Sequence, residues 1–179
     1  MENPSKILLV LDLDETLIHA TKNPLEHKTD FKVFDYYVYT RPNLDWFLKK
    51  ISEVYRLGIW SSADDEYVET IVDHIKPESV NLEFVWGKSR CTRRRDYNLD
   101  SYFNEKRLKK LKKYGNKLEK ILIVDDTPEK LKENYGNAIY IKPFEGDLND
   151  DVLRKLYDYL VSISEVENVR KIEKRGWMN

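Results

Sequence analysis

Asp12, Asp14 and, far along the chain, Asp125 and Asp126 are the residues whose types and spacing can do chemistry. Asp12-Leu13-Asp14-Glu15-Thr16 follows directly on Lys6-Ile7-Leu8-Leu9-Val10-Leu11, an apolar, partly β-branched run that reads as a fully buried strand of a parallel sheet. Two carboxylates one residue apart at the end of such a strand are costly to desolvate without a cation or a shared proton. The carboxyl ends of parallel strands are where open α/β folds bind their ligands. Alternation along an extended backbone puts Asp12 and Asp14 on one side and turns Leu13 away. The pattern makes the chain an enzyme candidate.

A second apolar run, Ile121-Leu122-Ile123-Val124, ends in Asp125-Asp126-Thr127-Pro128. If the two strands are neighbours, Asp12, Asp14, Asp125 and Asp126 share a cleft, and their mutual repulsion demands a divalent cation or a raised pKa. Only oxygen ligands are on offer, so the ion expected is hard, Mg²⁺ rather than Zn²⁺. Mg²⁺ binds substrate phosphates beside one or two carboxylates. An aspartate can attack phosphorus to give an aspartyl-phosphate, while a second aspartate handles the leaving-group and water protons. The incoming phosphate also needs a lysine and hydroxyl or backbone donors. Thr16, Ser61 and a lysine of the basic stretch 106–113 can supply them. Lys106, Lys109 and Lys110 compete for that role, and Ser61 reads equally as a residue that starts a helix.

The elements that must position these groups alternate. Tyr36 to Thr40 reads as a strand or hairpin arm after a polar loop or flap at 19–35. Asn43 is a plausible cap for a helix whose face is Leu44, Phe47, Leu48, Ile51 and Tyr55. Leu57-Gly58-Ile59-Trp60 is a short buried strand ending at Ser61-Ser62. Asp64 can then cap a helix with the stripe Tyr67, Val68, Ile71, Val72 and Ile75, closed by Pro77. Residues 82–98 read as a small β-insertion and 104–114 as a helix ending at Gly115. Pro128 suits the first turn of another helix, and Ala138 to Ile141 is a further strand. Asn149 or Asp150 caps a last helix carrying Val152, Leu153, Leu156, Tyr157 and Leu160. The expectation is a three-layer α/β fold with a central parallel sheet and right-handed crossovers.

At 179 residues the chain suits a single domain, here residues 1–165 followed by a charged tail at 166–179 that Trp177 can dock back onto the body. With 31 basic and 32 acidic residues, no global field draws it to nucleic acid or membrane. One cysteine, Cys91, leaves no internal disulfide and fits a reducing compartment. No leader-like segment opens the sequence and no apolar run reaches the length of a membrane span. A soluble, cytoplasmic protein is expected.

These residues resemble the haloacid dehalogenase superfamily of aspartate-nucleophile phosphatases, and within it the small carboxyl-terminal-domain phosphatase group, also called NLI-interacting-factor-like. Asp12-Leu13-Asp14-Glu15-Thr16-Leu17 is similar to the first motif. Tyr39-Thr40-Arg41-Pro42 followed by Phe47-Leu48 is similar to an Arg-Pro turn and helix. Trp60-Ser61-Ser62-Ala63 with Tyr67 corresponds to the second motif, Lys106-Arg107-Leu108 to the third and Asp125-Asp126-Thr127-Pro128 to the fourth. The likeness runs from about Ile7 to about Phe144. It implies a Rossmann-like fold with a small β-insertion and no large cap domain, Asp12 as nucleophile and Asp14 as general acid/base whose backbone carbonyl also touches Mg²⁺. It further implies Asp126 as a metal ligand with Asp125 beside it, Ser61 and Lys106 (with Ser62 near) on the phosphate, and Thr16 bracing the loop. Ser61 replaces the usual threonine, Asp126 stands where relatives often carry asparagine, and Arg107 replaces an acidic residue.

The favoured function is a Mg²⁺-dependent phosphatase acting on phosphoserine or phosphothreonine of a protein or peptide. Lys88, Arg90, Arg93, Arg94 and Arg95 of the insertion are placed to attract an acidic or phosphorylated segment, or form a solvated basic loop. Trp86 and Tyr97 offer an aromatic wall or simply pack. Two alternatives stand beside this: a phosphatase of a small ester or nucleic-acid end, and a non-catalytic scaffold of the same fold. The complete set Asp12, Asp14 and Asp126 argues against the scaffold.

Overall fold

The structure, a computed structural model, describes residues 6–96 and 100–178. In chain order the strands and helices are β1 (Leu8–Leu11), β2 (Ile18–Thr21), β3 (Phe31–Val33), β4 (Tyr36–Thr40), α1 (Leu44–Val54), β5 (Arg56–Trp60), α2 (Asp65–Ile75) and β6 (Leu82–Trp86). There follow β7 (Thr92–Asp96), β8 (Ser101–Glu105), β9 (Ile121–Asp125), β10 (Ala138–Tyr140) and α3 (Val152–Ser162). Short 3₁₀ turns fill several connections, among them Leu108–Tyr114 and Pro128–Asn137.

Five strands form one parallel sheet in the order β10-β9-β1-β5-β6. Fully apolar β1 takes the middle, where both faces and both edges are covered. Alternate residues feed two cores. Leu9 and Leu11 pack with α1, α2 and α3, whereas Leu8 and Val10 pack with Leu108, Leu111 and Leu131 of the 3₁₀ turns. The result is the three-layer α/β arrangement, with all three helices on one face. Among the described residues no helix is long and apolar enough to cross a membrane.

Several local expectations give way to tertiary demands. Residues 19–35 are no simple loop: β2 and β3 flank β4 in a three-stranded antiparallel sheet. The stretch 82–98 splits in two. Leu82–Trp86 is the fifth strand of the main sheet, and the insertion is the β7–β8 hairpin, Thr92–Asp96 against Ser101–Glu105. Gly58 is what lets β6 lie there, because a Cβ at that position would meet the Phe84 ring at 2.4 Å. Instead of a helix over 104–114, strand β8 runs to Glu105 and 3₁₀ turns start at Leu108. The backbone of Lys106 is held across the fold, its N–H donating to Lys130 O at 2.9 Å and its carbonyl accepting from Asn134 Nδ2 at 2.8 Å. Pro128 opens 3₁₀ turns interrupted by non-helical Leu131 and Asn134. Asn43 adopts φ 67° and makes no side-chain cap, and Asp64 likewise makes none. Asp150 does bond the start of α3, accepting from Val152 N at 3.0 Å.

The same Asp150 anchors the loop after β1. Arg41, fully buried, donates to both Asp150 carboxylate oxygens at 2.8 Å, to Thr16 O at 3.0 Å and to Lys142 O at 3.0 Å. One guanidinium therefore ties three loops together with a bidentate pair. Trp177 lies on the sheet edge, its indole N–H donating to Tyr140 O at 2.9 Å. Removing the partner of a buried charge leaves the other uncompensated, at about 3–5 kcal/mol. Asp150→Ala should therefore lower Tm in a thermal melt by about 6–20 °C at roughly 2–4 °C per kcal/mol. A change below about 2 °C would show that the pair does not hold these loops.

Candidate active site

The register fixes the convergence. Leu11 pairs with Ile59 on one side and Val124 on the other, so the next residues of β1, β5 and β9 bring Asp12, Trp60-Ser61 and Asp125 to one sheet end. Asp12 N donates to Val124 O at 2.9 Å, carrying the ladder one residue past β1. The chain then curls: Leu17 N donates back to Leu13 O at 2.8 Å, and Glu15 takes φ 57°. This turn separates the two acids of the first motif.

Asp12, Asp125 and Lys106 are buried together, with Lys106 Nζ 2.5 Å from Asp12 Oδ1 and 2.5 Å from Asp125 Oδ2. Lys130 Nζ lies 3.8 Å from Asp12 Oδ2, and Thr16 Oγ1 donates to that oxygen at 3.5 Å. Burial pushes the Asp12 carboxyl up, but Lys106 and then Lys130 more than offset it and leave it below the ordinary carboxylate range. Burial likewise pushes Lys106 down, and the charges of Asp12 and Asp125 carry it above the usual lysine range. Asp125 rises to about 6, through burial first and the charge of Asp12 second, against Lys106. Its Oδ1 accepts from Thr127 N at 2.9 Å, which fixes the loop carrying Asp126. Asp126 also rises, through burial and then the charge of Asp12.

Asp14 faces elsewhere. Tyr67 O–H donates to its Oδ1 at 2.6 Å and Ser61 Oγ to its Oδ2 at 3.3 Å. Burial raises its pKa, the Tyr67 bond opposes this, and the charge of Asp12 adds to the rise. Two carboxyls of one motif are thus pushed in opposite directions. Such a split marks off an ionised group from a proton carrier. Glu15 behind them rises to about 7 by burial and by the charges of Asp14, Asp126 and Asp12.

One oxygen each of Asp12, Asp125 and Asp126 lies within 4.8 Å of the others, a group able to hold a metal ion. All its donors are carboxylate oxygens, which suit a hard cation. The carboxylate of Asp14 stands outside this group, turned to Tyr67 and Ser61. Of the competing lysines, Lys106 enters the site. Lys109 is exposed, and Lys110 Nζ donates to the Arg90 carbonyl at 2.6 Å. Ser62 lines an open cavity of about 600 Å³ beside Asp14.

Sequence reasoning missed Lys130, hidden among the charges after Pro128, and the bond from Tyr67 O–H to Asp14, since Tyr67 reads as part of an apolar stripe and of the second motif without a role of its own. It also missed the bracing by Arg41. The basic insertion is neutralised in part. Arg94 pairs with Glu105 at 3.0 Å and Glu133 at 3.1 Å, Arg95 with Asp100 at 2.5 Å, and Arg107 with Glu133 at 2.6 Å. Arg93 lies over the Tyr102 ring and Arg90 over Trp86. Trp86 itself is buried edge-on against Trp60, so it packs. Tyr97 lies outside the described residues.

A central parallel sheet, a small β-hairpin insertion and an acidic cluster at the strand ends define an α/β protein of the haloacid dehalogenase type. The chain belongs to the NLI interacting factor-like phosphatase family, whose sequence profile matches residues 7–170. It is 32% identical over 173 residues to "CTD small phosphatase-like protein 2" of Dictyostelium discoideum, covering 92% of this chain and 29% of that protein. It is 24% identical to "Carboxy-terminal domain RNA polymerase II polypeptide A small phosphatase 1" of Homo sapiens, covering 96% of this chain and 64% of that one. Among solved structures, the RNA polymerase II CTD phosphatase Fcp1 of fission yeast, bound to beryllium fluoride, superposes with TM-score 0.60 at 22% identity. That match covers 93% of this chain and 53% of the other, and at such identity it speaks for the fold. The chain spans less than two thirds of the length of each of these relatives.

The geometry makes Tyr67 the group that sets Asp14. Because the tyrosine bond lowers the Asp14 pKa, Tyr67→Phe should move the Asp14 carboxyl titration, followed by ¹³C NMR, to higher pH. A shift to lower pH would contradict the assignment of that bond.

Proposed function

We propose that this domain is a Mg²⁺-dependent phosphatase with an aspartate nucleophile, acting on phosphoserine or phosphothreonine in a protein or peptide. The observation that carries the reading is the unequal placing of Asp12 and Asp14: Asp12 lies between Lys106 and Lys130, and Asp14 is turned to Tyr67 and Ser61, with the two carboxyl pKa values pushed in opposite directions. Asp12 attacks phosphorus, the P–O ester bond breaks, and Asp14 gives its proton to the departing oxygen. Asp14, now ionised, takes a proton from water as that water attacks the aspartyl-phosphate. Inorganic phosphate leaves and Asp12 is restored. Lys106 and Lys130 offset the charge accumulating around Asp12 and the phosphoryl oxygens, while Ser61 and Tyr67 keep Asp14 aimed.

Asp12, Asp125 and Asp126 would hold the Mg²⁺, which when bound lowers the repulsion between nucleophile and phosphate dianion. A protein substrate is supported by the absence of a large cap over the described sheet end and by the relatives' names as carboxyl-terminal-domain phosphatases.

Hydrolysis of a chromogenic aryl phosphate should require Mg²⁺, stop with chelator and disappear in Asp12→Asn. Asp14→Asn should slow turnover of a phosphopeptide by about 10²–10⁴, the range for loss of a general acid. Wild-type protein that hydrolyses neither aryl phosphate nor phosphopeptide in Mg²⁺ would refute the proposal. Full turnover in Asp14→Asn would refute the acid/base role alone.

A further inference from the structure

The cavity beside Asp14 is continuous with the candidate active site, since Asp14 and Glu15 line it. Its other walls come from the β3–β4 hairpin and from the start of α2. Tyr36 and Tyr67 meet edge to face, ring centres 5.8 Å apart, and Phe34 stands at the hairpin tip with 59% of its surface exposed. Val33 pairs with Tyr36, so Phe34-Asp35 is a two-residue turn, and Phe34 takes φ 51°. Glycine and asparagine are the residues that such a turn favours. A phenylalanine there carries a conformational cost and holds an apolar ring at the mouth of the cavity.

The charge of this cavity is negative. Asp35, Asp64 and Glu66 are exposed on its rim, against Lys22 and Lys88. Lys88 is 3.7 Å from Asp64, and among the described residues no ion pair holds the carboxylate of Asp35 or Glu66. Lys22 Nζ lies 5.7 Å from the centre of the Tyr36 ring, so an ammonium already reaches this aromatic surface. Across the site two arginines of the β7–β8 hairpin, Arg94 and Arg95, are paired with Glu105, Glu133 and Asp100, while Arg93 lies over the Tyr102 ring. The uncompensated charge on the rim of this cavity is therefore mainly anionic, carried by Asp35 and Glu66, and the same cavity is lined by the Phe34 and Tyr36 rings, which attract cations.

We propose that this groove selects phosphorylated segments carrying a lysine or arginine close to the phosphoresidue, and disfavours those with acidic neighbours. The side chain would lie along Phe34 and Tyr36 with its charge against Asp35 and Glu66. This rests on the phosphatase reading above and adds the substrate's flanking chemistry.

The test is a phosphothreonine peptide series in which lysine, alanine or glutamate is placed in turn at each of three positions on either side. At one or more positions lysine should raise kcat/KM about tenfold over glutamate, and 0.5 M NaCl should shrink that ratio, as screening predicts. In Asp35→Asn/Glu66→Gln the ratio should fall to within about twofold, with Phe34→Ser lowering kcat/KM on the lysine peptides. The same peptides offered to Asp12→Asn, with binding read by fluorescence anisotropy, report the groove without turnover. Equal kcat/KM and equal binding across the series, in protein that hydrolyses aryl phosphate, would overturn the groove and leave the phosphatase standing. Lysine-selective binding in protein without any turnover would do the reverse.

Discussion

The ammonium of Lys106, buried between Asp12 and Asp125, is the interaction on which the rest of the structure depends. Neither carboxylate can be ionised at the end of a fully desolvated strand unless a cation is delivered to it, and a buried charge without a partner costs several kcal/mol. Delivery requires long-range construction. The β7–β8 hairpin ends at Glu105, and the Pro128–Asn137 turns take the backbone of Lys106 through Lys130 and Asn134. Those turns in turn place Lys130 near Asp12. Insertion, 3₁₀ layer and sheet thus form one unit around a single nitrogen.

A second cation does for the loops what Lys106 does for the strand ends. Arg41 holds Thr16 O and Lys142 O while Asp150 neutralises it. The turn at Glu15 is thereby kept from relaxing into an extended strand, in which Asp14 would lie beside Asp12 on the same side. Turned away instead, Asp14 meets Tyr67 and Ser61 and acquires an environment of its own. The opposite displacement of the two pKa values is a product of this geometry.

How much of this the sequence disclosed follows from what each signal measures. Runs such as Leu8–Leu11 and Ile121–Asp125 announce themselves, because burial on both faces demands uninterrupted apolar residues. With them came the positions of Asp12, Asp125 and Asp126, and the stripes of α1, α2 and α3 followed by period. Lys106 could not be told from Lys109 or Lys110, since a charged stretch carries no trace of which residue turns inward. The helix expected around it failed for the same reason: its backbone groups are satisfied by Lys130 and Asn134, more than twenty residues away. Leu82–Trp86 was assigned to the insertion because a short aromatic strand looks alike at a sheet edge and in a hairpin. Its place is set by the fit of Phe84 over Gly58.

The same limit applies to charge. Arg93-Arg94-Arg95 reads as a basic patch because local sequence shows the cations together and their partners apart. Folding brings Glu105 and Glu133 to Arg94 and cancels much of the field that the run promised. On the opposite wall the carboxylates of Asp35 and Glu66 have no ion-pair partner among the described residues, and they outnumber the one lysine there, Lys22, that is likewise unpaired with an acid. That wall is also firmly built. A Cβ on Gly87 would strike Asp65 Oδ1 at 2.2 Å, while Lys88 N donates to Ala63 O at 2.7 Å and Ser89 N to Asp65 Oδ1 at 3.1 Å. The end of β6 is thus clamped against the turn that follows Ser61, and α2 enters at a fixed angle with Tyr67 on Asp14 and Glu66 on the rim. One clamp therefore fixes both Tyr67, which bonds Asp14, and the carboxylate of Glu66 on the rim, so under the proposed function chemistry and flanking preference would be coupled through the same short turn.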